Sequence, residues 1–360
     1  MQQRYVADLS LALINRTGAY QICRDLMAGL PDAFSGKRYW RLSLAEEPQG
    51  LRRRLLGRAM LFELSRPALF RALPDWDRSR RTGEPTLFLD PLYTLHTRIL
   101  GGDIVVCHDV GPVSMPHLFE PATSRLYRRA YERIRRAKPG MVFVSESSRA
   151  AFTALFGSDY PFLAVIPLYV RPGSAEGAER RPAGVTEPFL LTVAALEVRK
   201  NYLRTITAFG RSGLHDRGYS YVFCGAQANQ TREIRELARR TPGVTGLGYL
   251  TDAELRWLYR HAGGFVLPSL LEGFGMPALE ATQHGLLSVI SHDGALKEAV
   301  GGGAILVDPE QPDSIALGMR RIVEMSEQER ASQLNVARRH AGTLTLERFV
   351  ERWSNLLAAA

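Results

Sequence analysis

The chain has 360 residues, 45% of them hydrophobic and 23% charged, which excludes a wholly disordered, collagen-like or coiled-coil protein and favours two domains. The net charge of +9 admits nucleic acid or an anionic membrane as partner. It is unevenly placed: residues 1–171 hold 25 Lys and Arg against 16 Asp and Glu, and the remainder holds 21 of each.

In chain order, short β-branched or apolar runs predict strands at 5–9, 86–89, 104–107, 141–144 and 163–166. Helical periodicity predicts helices at 19–30, 123–137 and 148–156, and a further basic helix beginning at Leu51. Beyond 188 the pattern resumes, with strands at 189–193, 221–224, 264–267, 287–290 and 304–307. Helices are expected there at 202–212, 230–240, 252–261, 277–284 and 313–324. Strands alternating with helices of ~10–15 residues build parallel sheets from βαβ units. Residues 171–187, with Pro172, Gly173, Gly177, Pro182 and Gly184, have linker composition. The expected division is therefore a domain at 1–170, a linker at 171–187 and a second domain at 188–345. An amphipathic helix at 346–360 is expected to pack back on the first domain.

Cys23, Cys107 and Cys224 form no CxxC pair, so neither a zinc knuckle nor a disulfide framework is expected. No DxD carboxylate pair is placed like a metal site. Residues 1–14 lack a cleavable-signal pattern. No run approaches the ~18–20 apolar residues of a membrane-spanning helix. A cytoplasmic protein, free or peripheral on the inner face of the membrane, is the expectation.

In doubly wound sheets, ligands bind beyond the carboxyl ends of the strands. The strand at 264–267 runs into Pro268-Ser269-Leu270-Leu271-Glu272-Gly273-Phe274-Gly275-Met276-Pro277-Ala278-Leu279-Glu280. Pro277 suits the first helical position, where its missing N–H costs nothing. Gly273 and Gly275 let backbone approach a ligand, and the helix N-terminus that follows suits a phosphate or a polarised hydroxyl. Glu272 and Glu280 can accept hydrogen bonds from sugar or ribose hydroxyls. Taken alone, two glutamates at this spacing also fit a capping residue and a solvated one.

The string as a whole is similar to the E-G-F-G-x-P-x-x-E pattern of retaining GT-B glycosyltransferases of the family-4 type, and the first-domain pattern is most similar to bacterial polysaccharide mannosyl- and rhamnosyltransferases. Three further stretches, 189–201, 247–255 and 298–309, agree in order and spacing. The resemblance covers 186–325 firmly and the first half more thinly. It implies an α/β GT-B fold, two doubly wound Rossmann-like domains facing a central cleft.

By family position, Arg199 and Lys200 would clamp the donor diphosphate, one as a bidentate fork and the other as a point charge. Glu280 would hold the ribose and Glu272 the transferred sugar. Backbone at Gly273, Phe274, Gly275 and Met276 would support sugar and diphosphate, and Gly248, Tyr249 and Leu250 would hold the base. Gly225 would line the same pocket. In the first half, His108 would touch the donor sugar near the reacting centre, and the loop 15–18, ending in Gly18, would approach phosphate and acceptor. Asp90, Tyr93 and Asp109 would line the acceptor side, although the stretch from Asp90 to Tyr93 also reads as a turn. Ser145, Ser147 and Ser148 read as a helix cap. The chain departs from the family by Ala194 and Ala195 where glycine is expected, and by Ala19 in the first loop.

The implied activity is retaining transfer of a hexose, mannose favoured, from a nucleotide diphosphate sugar, GDP-mannose favoured. The acceptor would be a glycan hydroxyl, with a polyprenyl-diphosphate-linked glycan of a surface polysaccharide the leading candidate. No cofactor and no metal are expected. Another GT-B enzyme, such as a sugar-nucleotide epimerase, or a transferase with a soluble acceptor, is the alternative. The basic excess concentrates in two helices, one with Arg52, Arg53, Arg54 and Arg58, the other with Arg125, Arg128, Arg129, Arg133, Arg135, Arg136 and Lys138. They are expected to face an anionic membrane. Without an RNP-like, zinc-finger or helix-turn-helix motif, nucleic acid is not expected as a partner.

Overall fold

The computed structural model describes every residue except 1–2, 15–17, 67–82, 172, 174, 249 and 293. Residues 15–17 of the loop expected before Gly18, and Pro172 and Tyr249, lie outside the described residues. The chain divides into two compact units, Met1–Leu168 with Glu347–Ala360, and Tyr169–Leu346.

The first unit is built on strands β1 (Tyr5–Asp8), β2 (Phe34–Tyr39), β3 (Leu42–Ser43), β4 (Thr86–Phe88), β5 (Ile104–Cys107), β6 (Gly140–Phe143) and β7 (Leu163–Val165). They lie in the order β3-β2-β1-β4-β5-β6-β7, parallel except for the β2–β3 hairpin. The central strands are apolar and buried on both faces, as parallel strands covered by helices must be. β2, absent from the expected strands, reads Phe-Ser-Gly-Lys-Arg-Tyr. Its Arg38 is fully buried yet paired: Nη2 donates to Asp8 Oδ2 at 2.5 Å and Nε at 3.1 Å. A charge inside a strand defeats a search for apolar runs, and only the neighbouring strand reveals the partner that makes its burial tolerable.

The second unit holds β8 (Phe189–Val193), β9 (Ser220–Cys224), β10 (Val244–Gly246), β11 (Gly264–Leu267), β12 (Ser288–Ser291) and β13 (Ile305–Val307). They run parallel in the order β10-β9-β8-β11-β12-β13. This is the doubly wound order, in which the chain reverses direction across the sheet between β8 and β11. The edge strand β10, only three residues long, was not among the expected strands. Nor was helix Glu327–Ala341, whose fully buried face reduces to Ala337. Residues 171–187, expected as a linker, group with the second unit. Helix Asp252–His261 holds them: Arg256 Nε donates to the Ala178 carbonyl at 3.1 Å, and Arg260 to the Ala175 carbonyl at 2.7 Å and the Glu179 carboxylate at 2.5 Å. Among the described residues no helix is long and apolar enough to cross a membrane.

Candidate functional site

The second unit gathers its chemistry at the reversal between β8 and β11. After β8 the chain makes a short 3-10 turn, Val198–Lys200, then passes through Asn201 in the left-handed region (φ 62°) into helix Tyr202–Arg211. After β11 it forms the loop 268–275 and enters helix Met276–Gln283 through Gly275, whose φ of 109° suits glycine. A Cβ at Gly275 would also lie 2.6 Å from Leu296 Cδ2.

Lys200, Arg199 and Glu272 come together there. Lys200 Nζ donates to both Glu272 oxygens, at 2.6 and 2.8 Å, and Arg199 Nη1 reaches Oε2 at 3.3 Å. Arg199 Nε also pairs with Glu197 at 2.5 Å. Ser269 Oγ donates to Glu272 Oε1 at 2.8 Å. The Lys200 and Glu272 side chains are almost entirely buried, 7% and 6% exposed. Burial pushes the Glu272 carboxyl up, but the Lys200 and Arg199 charges outweigh it and hold the group below the usual glutamate value. Burial lowers the Lys200 ammonium despite the opposing pull of Glu272. The result is a buried, hydrogen-bonded ion pair at a strand end.

Sequence reasoning missed what fastens this cluster. Asn201, 3% exposed, donates through Nδ2 to the carbonyls of Pro268 at 2.9 Å and Pro309 at 2.6 Å. It thereby ties the turn after β8 to the chain leaving β11 and β13. Leu270 N–H donates to the Arg199 carbonyl at 2.8 Å, and Ser291 Oγ to the Ser269 carbonyl. The available signal was an asparagine, tolerant of the left-handed region, between a strand and a helix.

Glu280, one turn into its helix, accepts from Tyr259 OH at 3.3 Å; burial raises its carboxyl above the ordinary value. It does not join the Lys200–Glu272 pair. Phe274 is buried, and Gly273 and Met276 are half-buried in the loop and helix start. Gly225 follows β9, and a Cβ there would fall 1.8 Å from the Ala194 carbonyl oxygen, so its own backbone neighbour already demands glycine. Gly248 is exposed and its Cβ position is open, while Leu250 is half-buried.

In the first unit, His108 follows β5 and is half-buried, its Nε2 3.1 Å from the Leu89 carbonyl oxygen. Ser148 Oγ donates to the His108 carbonyl at 2.8 Å, while Ser145 caps helix Glu146–Phe156. Asp90 caps the 3-10 turn Pro91–His96 through Leu92 N–H at 2.8 Å, and its two carboxylate oxygens share the single Tyr127 O–H donor, at 3.0 and 2.9 Å. Burial raises its carboxyl. Asp109 accepts from Gly111 N–H at 2.8 Å. Tyr93 is 3% exposed, and Asp90 to Tyr93 form the start of that 3-10 turn. Gly18 opens helix Gly18–Gly29 with space around its Cβ position.

Residues 176–339 match the family described as glycosyl transferases group 1. The O-antigen chain mannosyltransferase B of Escherichia coli is 32% identical over 132 residues, 36% of this chain and 35% of that protein. A GDP-mannose:cellobiosyl-diphosphopolyprenol alpha-mannosyltransferase of Komagataeibacter xylinus is 30% identical over 145 residues, 34% of this chain and 36% of that one. The aligned stretches thus span about a third of these relatives' own length. Among solved structures, Anabaena Alr3699/HepE, in complex with UDP and glucose, superposes with a TM-score of 0.70 at 15% identity over 100% of both chains. A UDP-forming trehalose-phosphate synthase of Burkholderia xenovorans gives 0.66 at 17% over 99% of both. These likenesses establish two Rossmann-like domains of the GT-B type. Residues 176–339, rather under half of the chain, are thus similar to the glycosyl transferases group 1 family.

Proposed function

We propose that the protein is a glycosyltransferase that moves a mannosyl group from GDP-mannose to a hydroxyl of a polyprenyl-diphosphate-linked glycan. Transfer proceeds with retention and without a metal or other cofactor, at the inner face of a cytoplasmic membrane. The observation that carries the reading is the Lys200–Arg199–Glu272 cluster at the β8–β11 reversal, inside the segment matching the family. The mannosyl and lipid-linked specifics draw on the printed names of the two bacterial relatives.

Arg199 and Lys200 stabilise the negative charge that grows on the departing diphosphate, the kind of preorganised electrostatics that supplies most of a barrier reduction. A donor diphosphate competes with Glu272 for the same N–H groups, which frees a carboxylate oxygen for the transferred sugar. The helix N-terminus at Met276 adds backbone donors, Glu280 takes the ribose hydroxyls, and Gly248 to Leu250 hold the base. His108 is assigned to the donor sugar, and Gly18 to phosphate.

The test incubates the protein with a panel of nucleotide sugars and a lipid-linked acceptor, and reads the product's anomeric configuration by NMR. GDP-mannose is expected to be consumed only with acceptor, giving the α-product, with EDTA leaving the rate unchanged. Turnover of nucleotide sugar without acceptor would instead indicate a sugar-nucleotide epimerase. Loss of activity in EDTA, restored by a divalent ion, would remove the metal-free mechanism.

A further inference from the structure

Helix Gly50–Ser65 has two apolar faces. Gly57, Met60 and Leu64 are buried, with Gly57 so close to the short helix Leu11–Ile14 that a Cβ would lie 2.8 Å from the Leu13 carbonyl oxygen. The opposite face is exposed and also apolar: Leu51 is 72% exposed, Leu55 55%, Leu61 48% and Phe62 45%. A helix apolar on opposite sides is not an ordinary surface helix, whose outer face is polar. Arg52, Arg54, Arg58 and Arg66 are exposed among these side chains, with the Arg66 guanidinium over the Phe62 ring at 5.7 Å. Among the described residues no ion pair involves Arg52, Arg54 or Arg58.

The second basic helix, Pro121–Ala137, differs. Arg133 donates to the carbonyls of Leu95 and Thr97, at 2.9 and 2.6 Å. Arg135 and Arg136 share Glu132 at 3.0 and 2.9 Å, and Lys138, just past its end, pairs with Asp159. Among the described residues, none of its large apolar side chains is exposed. Its charge is partly spent locally, and it has nothing to insert.

We propose that the exposed face of helix Gly50–Ser65, and not helix Pro121–Ala137, is the surface by which this protein docks on an anionic lipid bilayer. Leu51, Leu55, Leu61 and Phe62 enter the acyl boundary, and Arg52, Arg54, Arg58 and Arg66 lie at the phosphate level. Although the helix is not amphipathic, its exposed apolar side chains and arginines supply on one surface the two contributions that hold a protein at a lipid interface: apolar burial and attraction to anionic headgroups. Charge complementarity selects the occupant: an apolar protein partner would not call for four arginines, and a nucleic acid would not call for four exposed aliphatic and aromatic side chains. The proposal rests on the lipid-linked acceptor of the preceding reading and names the surface that brings the protein to it.

The test is co-sedimentation of the full chain with phosphatidylglycerol–phosphatidylcholine vesicles and with phosphatidylcholine alone. Binding is expected only to the anionic vesicles. Arg52→Ala, Arg54→Ala and Arg58→Ala should each weaken it about fivefold, and Leu55→Ser with Phe62→Ser about tenfold, with melting temperature unchanged. Arg128→Ala with Arg129→Ala should cost less than any two of the first set. Phe62→Trp should show a blue-shifted emission, quenched by brominated lipid, when anionic vesicles are added. Equal losses from both helices, an unmoved Phe62→Trp emission, or tighter binding to duplex DNA with the same arginine dependence would each overturn the proposal. Transfer to a water-soluble acceptor analogue, measured on the same variants, should be unchanged. Its absence in the unaltered protein would sink the transferase reading and leave the vesicle result standing.

Discussion

At the residue scale, the proposed mechanism makes the buried pair of Lys200 and Glu272 serve both turnover and stability, and the two can be separated. Glu272→Gln leaves the Lys200 ammonium buried without its counter-charge, which should cost about 3–5 kcal/mol. On the proposed mechanism it should also cut turnover by about 10²–10³. Adding Lys200→Met removes the stranded charge, so urea unfolding should recover much of the loss while transfer stays low. Recovery of both, or of neither, would show that the pair does not act as argued. Asn201 makes a second test. Asn201→Gly keeps access to the left-handed backbone but loses the bonds to the Pro268 and Pro309 carbonyls, worth about 1–3 kcal/mol. Asn201→Ala loses the same bonds and adds about 1–2 kcal/mol of left-handed strain, so the glycine variant should be the more stable in the same unfolding assay. Arg199, Lys200 and Glu272 were legible because they lie in the turns beyond β8 and β11, inside stretches that resemble a family pattern. Asn201 was not, because the Pro268 and Pro309 carbonyls it bonds are brought close only by the sheet order; Ser269 bonds Glu272 within a single loop, a contact its hydroxyl alone did not single out.

At the scale of elements, the sequence revealed strands where apolar residues run together and concealed those that carry charge, as β2 does, or are as short as β10. β2 carries Arg38, and the turn that follows it carries Trp40 and Arg41, which converge on Glu63 of helix Gly50–Ser65. His96 Nδ1 meets the same carboxylate at 2.7 Å. Burial pushes Glu63 up, but His96, Arg41 and Trp40 together bring it from the ordinary 4.5 down to about 2. A carboxyl with a depressed folded-state value contributes stability above its unfolded value and loses it as pH falls through the folded one. Stability from this junction should therefore be full above pH 4.5 and fall away towards pH 2. In urea titrations, Glu63→Gln should be less stable at neutral pH and show a shallower decline across that interval. An unchanged acid decline would remove Glu63 from the account. Glycines give a further contrast between elements. Gly225→Ala drives a Cβ into the Ala194 carbonyl at 1.8 Å and should force apart the ends of β8 and β9. Gly248→Ala meets open space and should be close to neutral in a thermal melt.

At the scale of the whole molecule, the chain enters its first unit twice, since residues Glu347–Ala360 return to it after the second unit is complete. The amphipathic period of helix Leu346–Ala359 was readable; the face it covers was settled by packing, with Phe349, Trp353 and Leu357 buried and Val350 seated against Gly29. Burying three such side chains contributes about 1.5–3 kcal/mol each, a sum comparable to the ~5–15 kcal/mol stability of a typical domain. Truncation after Leu346 should therefore unfold or loosen the first unit and spare the second, whose core of residues from Val185 to Met325 contains none of the deleted residues. A two-unit chain need not melt in one step, so calorimetry can follow each unit. The truncated protein should lose the transition of the first unit. GDP, the nucleotide of the proposed donor, should still stabilise the remaining one by about 2.7 kcal/mol at a hundredfold excess over its Kd. Limited proteolysis gives the same comparison, with cleavage confined to residues 1–168 in the truncated chain. Should truncation leave the first transition in place, the last helix contributes nothing essential to that core. Should it abolish the GDP shift, the proposed placing of the nucleotide contacts at Arg199, Lys200, Glu280 and residues 248–250 of the second unit fails.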